Sequence, residues 1–126
     1  MSVLDASVLV AYFARHDAHH ADAKAHLAST SDLRIGPLNL AEVLVGPAKA
    51  DRLADVAAIV RQVGVQEVPM PADAAVLLAD IRARTGLKMP DCCVLLTAQQ
   101  TGGSVATFDE RLRREAANLG LDVVTW

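Results

Sequence analysis

A chain of 126 residues has room for one domain, spanning 1–126, whose core needs neither disulfides nor metals as staples. Apolar residues make up 52% but aromatics only 3%, so the core must come mainly from Ala, Val and Leu, in a mixed α/β chain. The net charge of -3 excludes an overall positive field for nucleic acid, so a polyanion site must be local or rely on cations. No run of about 18 apolar residues suggests a membrane span, and no basic segment ahead of an apolar one suggests a signal peptide. Cys92 and Cys93 are adjacent, poor geometry for a disulfide. They read as small apolar helix residues in a reducing cytoplasm.

Val3 and Leu4 start an apolar strand that Asp5 interrupts, and Ala6 to Phe13 then carry apolar residues at helical spacing. A polar second helix follows over Ala21 to Ala28. His16 and His20 stand four apart before it, a spacing that can bind metal, but no third ligand follows and a solvated helix face accounts for them. Leu33 to Gly36 form strand two. Leu38 to Gly46 form the next helix, stopped by Gly46-Pro47. Leu38, Glu42 and Val45 share one stripe of it, which sets an acid on an apolar face. A capping box with Asn39 as cap and Glu42 three residues on is the competing account.

Lys49 to Arg61 read as a fourth helix, with Leu53, Val56, Ala57 and Val60 inward, and Val63 to Val68 as strand three. Ala72 to Thr85 form a long helix with Ala75, Leu78, Ala79 and Ile81 inward, closed by Gly86. Arg82, Arg84 and Lys88 suit a helix C-terminus. Pro90 opens the next helix and puts Asp91 in its first turn, where the helix dipole favours an acid. Ser104 to Phe108 are strand four. Asp109 stands where an N-cap to Glu110–Leu119 belongs, and Leu121 to Val124 form a last strand.

Strands alternating with helices imply a parallel sheet, and residues just beyond its strands share one edge. Asp5 and Asp109 sit at that edge directly; Glu42 lies one turn into a helix, and Asp91 joins them only if its helix starts nearby. Two carboxylates about 4 Å apart repel by roughly 4 kcal/mol at an effective dielectric of 20. Converged acids therefore take up protons or hold divalent cations, and all-oxygen ligands favour Mg²⁺ or Mn²⁺. Such a site suits attack of water on a phosphodiester.

Val3-Leu4-Asp5-Ala6-Ser7, Asn39-Leu40-Ala41-Glu42-Val43, Pro90-Asp91 and Ala106-Thr107-Phe108-Asp109, in this order and spacing, resemble the PIN-domain family. Within it, the likeness is to the VapC-type toxin ribonucleases. The resemblance covers nearly the whole chain. It implies an α/β, three-layer, PIN-like fold with a parallel five-stranded sheet flanked by helices. It also implies an endoribonuclease site in which Asp5, Glu42, Asp91 and Asp109 hold Mg²⁺ or Mn²⁺, with Ser7 and Thr107 as supporting hydroxyls. The expected partners are RNA, a second copy of the chain and a VapB-type antitoxin, in toxin–antitoxin hetero-oligomers. Some relatives carry a further acid where Arg113 stands here. With Arg111 and Arg114, that position suggests a basic strip for RNA phosphates.

A phosphate-transfer fold of the dehalogenase or receiver type also starts with an aspartate after strand one. It wants a late lysine, and the dehalogenase form a second acid where Ser7 stands; no lysine follows Lys88. A catalytically silent PIN-like binding module is the other alternative.

Overall fold

Short strands with one to three buried residues each, and the helices between them, set the architecture. The structure, a computed structural model, describes residues 1–126. In chain order the elements are β1 (Ser2–Leu4), α1 (Ala6–Phe13), α2 (His20–Ser29), β2 (Leu33–Ile35), α3 (Pro37–Lys49) and α4 (Leu53–Val63). They continue with β3 (Val65–Glu67), α5 (Ala74–Thr85), α6 (Met89–Thr101), β4 (Ser104–Ala106) and α7 (Glu110–Asn118). The strands form one parallel sheet in the order β3-β2-β1-β4, with Leu4 opposite Ala106 and Val3 opposite Val105.

Alternating strand side chains feed two cores, one on each face of the sheet. Leu4 and Ala106 pack with Val8, Leu9 and Leu27 of α1 and α2. Val3 and Val105 pack with Ile81, Leu95 and Leu112 of α5, α6 and α7. The result is three layers, helix–sheet–helix. In α6, every residue from Cys92 to Ala98 is buried, as befits a helix that is apolar all round. No helix is long and apolar enough to cross a membrane.

The sheet has four strands where five were expected. Past α7, only Val123 bridges β4, through Val105 N–H to the Asp122 carbonyl and Val124 N–H to the Val105 carbonyl, both 2.8 Å. Beyond Val124 the chain turns so that the Trp126 indole N–H donates to the Thr107 carbonyl at 2.9 Å, which ends the pairing. Strand β4 likewise stops at Ala106, because the Phe108 N–H is taken by Ser7 Oγ at 3.2 Å and not by a neighbouring strand.

Gly46-Pro47 does not stop α3, which runs on to Lys49. A residue before proline is pushed out of the helical region partly by its Cβ, and Gly46 has none. The break comes at Asp51, in the left-handed region at φ 57°, so α4 begins only at Leu53. Leu53 itself is exposed, and on α5 the inward residues are Ala74, Leu77, Leu78 and Ile81, with Ala75 and Ala79 turned to solvent. Helix α2 begins at His20, so His16 and His20 do not share a helix face. His20 instead ties α2 to α1, Nδ1 lying 2.9 Å from the Ala11 carbonyl.

Candidate active site

The order β3-β2-β1-β4 reverses direction between β1 and β4, and open α/β sheets bind ligands in the crevice at such a point. Asp5 and Thr107 are the first residues past these two strands. Asp5 N–H bonds the Ala106 carbonyl at 2.9 Å, which locks the two junctions together.

Asp5 stands at the N-cap of α1, yet its side chain caps nothing. Its Oδ2 accepts from Ser7 Oγ at 2.9 Å and from Thr107 Oγ1 at 2.7 Å. Two hydroxyl donors on one oxygen hold this buried acid (8% exposed) in a fixed orientation. Thr107 Oγ1 also accepts the Asp109 N–H at 3.0 Å, so one hydroxyl joins two of the acids.

Asp109 does cap its helix: Oδ1 accepts the Arg111 and Leu112 N–H groups at 2.9 and 3.1 Å. Helix α6 starts at this same edge, and Asp91 lies in its first turn. Burial, then the charges of Asp5, Asp109 and Glu42, push the Asp91 carboxyl up to about 6, against the opposing pull of Lys88. The Glu42 carboxyl is likewise raised, by partial desolvation against its neighbours and then by Asp5, with the Asn39 side chain pulling the other way. Glu42, Asp91 and Asp109 line one cleft of about 350 Å³ with Lys88, Pro90 and Arg111. Larger apolar clefts occur elsewhere, but only this one gathers three of the acids.

Glu42 is exposed, and the stripe it shares with Leu38 (42% exposed) and Val45 (50%) faces outward. The buried face of α3 is Asn39 and Val43. Apolar residues flank this helix on both sides, so periodicity alone could not choose its inner face. The N-cap is Gly36, which puts Asn39 inside the helix and removes the capping box. Asn39 is fully buried and its Nδ2 donates to the Pro90 carbonyl at 2.9 Å, tying α3 to the start of α6 beside Asp91. Its Oδ1 has no partner. A Cβ on Gly36 would meet Thr97 Oγ1 at 3.1 Å and Asn39 Oδ1 at 3.3 Å, so glycine permits this close approach of α3 to α6. Sequence reasoning missed Asn39 and Lys88. The one signal for Asn39 was a polar residue amid Leu38, Leu40, Val43 and Leu44.

Among the basic residues, Arg111 lines the acid cleft and its Nη2 donates to the Gly86 carbonyl at 3.2 Å. Arg113 points elsewhere: Nη1 donates to the Val124 carbonyl at 3.1 Å, and Nε lies 3.6 Å from Glu110 Oε2. Arg114 is exposed and does not line the cleft. The three arginines therefore do not form one strip.

The donor set near the cleft is all carboxylate, which suits a hard cation such as Mg²⁺ or Mn²⁺. No three acid, His or Cys side chains are arranged to hold an ion between them directly. Mg²⁺ commonly keeps several waters and takes only one or two carboxylates directly, so the residues fit a cation held partly through water.

The sequence profile of the PIN domain matches residues 2–118. In fold the chain is similar to a toxin–antitoxin complex from Klebsiella pneumoniae (TM-score 0.79, 23% identity, covering 99% of this chain and 97% of that one). It is also similar to VapC20, a sarcin-ricin loop cleaving toxin of Mycobacterium tuberculosis (0.80, 19%, all of both chains). A third likeness is to FitAcB of Neisseria gonorrhoeae (0.75, 20%, 99% and 97%). At such identities the likeness is one of fold. No protein of curated function matches the sequence.

Proposed function

The chain belongs to the PIN domain family, and from that premise we propose that it is a Mg²⁺- or Mn²⁺-dependent endoribonuclease, the toxin of a toxin–antitoxin pair. The observation that carries this reading is that Glu42, Asp91 and Asp109 line one cleft at the sheet edge where Asp5 follows β1, at the β1/β4 switch point. Four acids drawn from separate parts of the chain and placed within reach of one another's charge are costly without a cation. Solved neighbours of the same fold include toxin–antitoxin proteins, which agrees with it.

In this reading Asp5, Asp91 and Asp109 hold the cation, directly or through water, and Glu42 ligates it or positions the attacking water. A bound Mg²⁺ or Mn²⁺ supplies charge neutralisation at the phosphate and activation of water. The rest belongs to the chain's own residues. Ser7 and Thr107 fix Oδ2 of Asp5, which leaves Oδ1 without a side-chain donor. Asn39 holds the Asp91 turn against α3. Lys88 and Arg111 flank the acids, where they can meet the phosphate groups of RNA that the acids would repel.

An antitoxin partner belongs to the same proposal. Glu42 also borders a cleft of about 450 Å³ lined by Val10, Phe13, Val43, Pro47 and Val56, and Val10 is 48% exposed. A chain lying in this apolar cleft would end its path against the acids, covering the site. Homodimerisation is proposed with it.

Purified protein should cut RNA with Mg²⁺ or Mn²⁺ and stop with EDTA, and Asp5→Asn should abolish cutting while the circular dichroism spectrum stays native. Equal activity in that variant would sink the assignment. The absence of three directly convergent ligands favours one second reading, a silent PIN-like module. The absence of both RNA cleavage and any change in melting temperature on adding Mn²⁺ would establish it.

A further inference from the structure

The chain holds one tryptophan, one tyrosine and two phenylalanines, and the tryptophan and one phenylalanine meet beside the acids. Phe108 lies between Thr107 and Asp109, so its Cα is about 3.8 Å from each of theirs. Its N–H is pinned by Ser7 Oγ, the same hydroxyl that holds Asp5. On one side of the Phe108 ring the His19 imidazole stacks at 4.3 Å with 10° between planes. Trp126 contacts the same ring at 4.3 Å with 32° between planes. Trp126 is held by its indole N–H on the Thr107 carbonyl and by an edge contact to His26 at 5.2 Å. The column Trp126–Phe108–His19 is therefore fixed at its Trp126 end and built onto the residues that orient Asp5.

Its other end is open. His19 is exposed and stands just before α2. Its imidazole makes no hydrogen bond; its backbone N–H donates to Asp17 Oδ1 at 2.8 Å and its carbonyl accepts the Ala23 N–H at 3.0 Å. The imidazole stacks on Phe108, and the exposure of His19 leaves ring surface available to a further stacking partner. An exposed imidazole stacked on Phe108, the residue between Thr107 and Asp109, offers the elements of a base-stacking platform beside the acid site.

We propose that the outer face of His19, backed by Phe108 and Trp126, is a nucleobase-binding site that stacks one unpaired base of the RNA next to the phosphate in the acid cleft. The inference rests on the ribonuclease reading for its substrate. A base inside a duplex has both faces covered, so the site takes a nucleotide free of base pairing. Stacking is tolerant of base identity, so the platform positions a nucleotide without reading its sequence.

The test uses the full-length protein, EDTA to prevent cleavage, and low ionic strength. The probe is a short RNA oligomer carrying 2-aminopurine, whose fluorescence falls on stacking. An abasic oligomer of equal length and charge is the control. The wild type should quench 2-aminopurine saturably, and His19→Ala should weaken binding of the probe by about 5- to 100-fold while leaving the abasic oligomer unchanged. His19→Tyr, which restores a flat ring, should recover the quenching, which a merely structural role for His19 would not predict. No quenching by the wild type, or equal weakening of both oligomers in His19→Ala, overturns the proposal. Because the assay needs no cleavage, quenching without nuclease activity would overturn the ribonuclease reading and leave the stacking site standing.

Discussion

The β1–α1 and β4–α7 junctions each place an aspartate at a helix N-cap, and they differ in what its side chain does. Asp5 and Asp109 each follow one of two adjacent parallel strands and precede a helix, in extended conformations of φ -79° and -80°. Asp109 spends one oxygen capping α7, as isolated propensity would have it, and remains exposed. Asp5 leaves α1 without a side-chain cap and is buried under two hydroxyls. A cap position thus fixes where an acid stands but not what its oxygens do. The difference comes from neighbours: Ser7 and Thr107 offer donors to Asp5 that outcompete the helix amides, whereas Asp109 has only its own helix and gives Thr107 its N–H.

The sharpest way to break this comparison is to neutralise each acid without changing its shape. Asp5→Asn and Asp109→Asn should each lower RNA cleavage by roughly 100-fold or more, the scale on which a single electrostatic group acts in a catalytic site. If only one variant loses activity, the two junctions do not serve one centre. Next comes Thr107→Val, which strips a donor from Asp5 and an acceptor from the Asp109 N–H; urea unfolding should show a loss of about 1–3 kcal/mol. A smaller loss, about 1 kcal/mol, should follow Asp109→Ala but not Asp109→Asn, since asparagine still caps. Asp5→Asn should leave stability nearly unchanged, and a cap-sized loss there would erase the contrast drawn between the junctions.

The smallest effect runs the other way. The Asp91 carboxyl titrates near 6 in the folded, cation-free chain, above the usual aspartate value of 3.8. Between those two pH values the folded state holds more protons than the unfolded one, so stability falls as pH rises through that window. Asp91→Asn should therefore stabilise the cation-free protein at pH 7.5, by of the order of 1 kcal/mol once solvent screening of this half-buried group is allowed for, and not below pH 4. Mg²⁺ should raise the wild-type melting temperature more at pH 7.5 than at pH 5, and much less in Asp91→Asn. A cation effect that ignores Asp91 would remove that residue from the site.

Much of the layout was legible in the chain. Apolar pairs such as Val3-Leu4 and Val105-Ala106, Gly86 as the left-handed cap of α5, and Pro90 at the start of α6 are local signals, and the elements they mark are present; Gly64, expected inside strand three, instead caps α4. The parallel sheet followed from their alternation, as did the expectation of Asp5 and Asp109 at one edge, while helices flanking the sheet were what the family resemblance implied. These are determined by residues close in sequence, so sequence alone could decide them.

The tertiary structure decided what depends on distant partners. It turned the apolar stripe of α3 with Glu42 outward and Asn39 inward, because the Pro90 carbonyl offered the buried amide a partner 51 residues away. It drew Arg113 onto Val124 and left only Arg111 at the acids. It cut the fifth strand to a single bridge in favour of Trp126 on Phe108. Sequence determined which residues could be caps, strands and acids. Only packing decided which oxygen of Asp5 would be held and which left free, since hydrogen-bond partners 102 residues apart have no local signature.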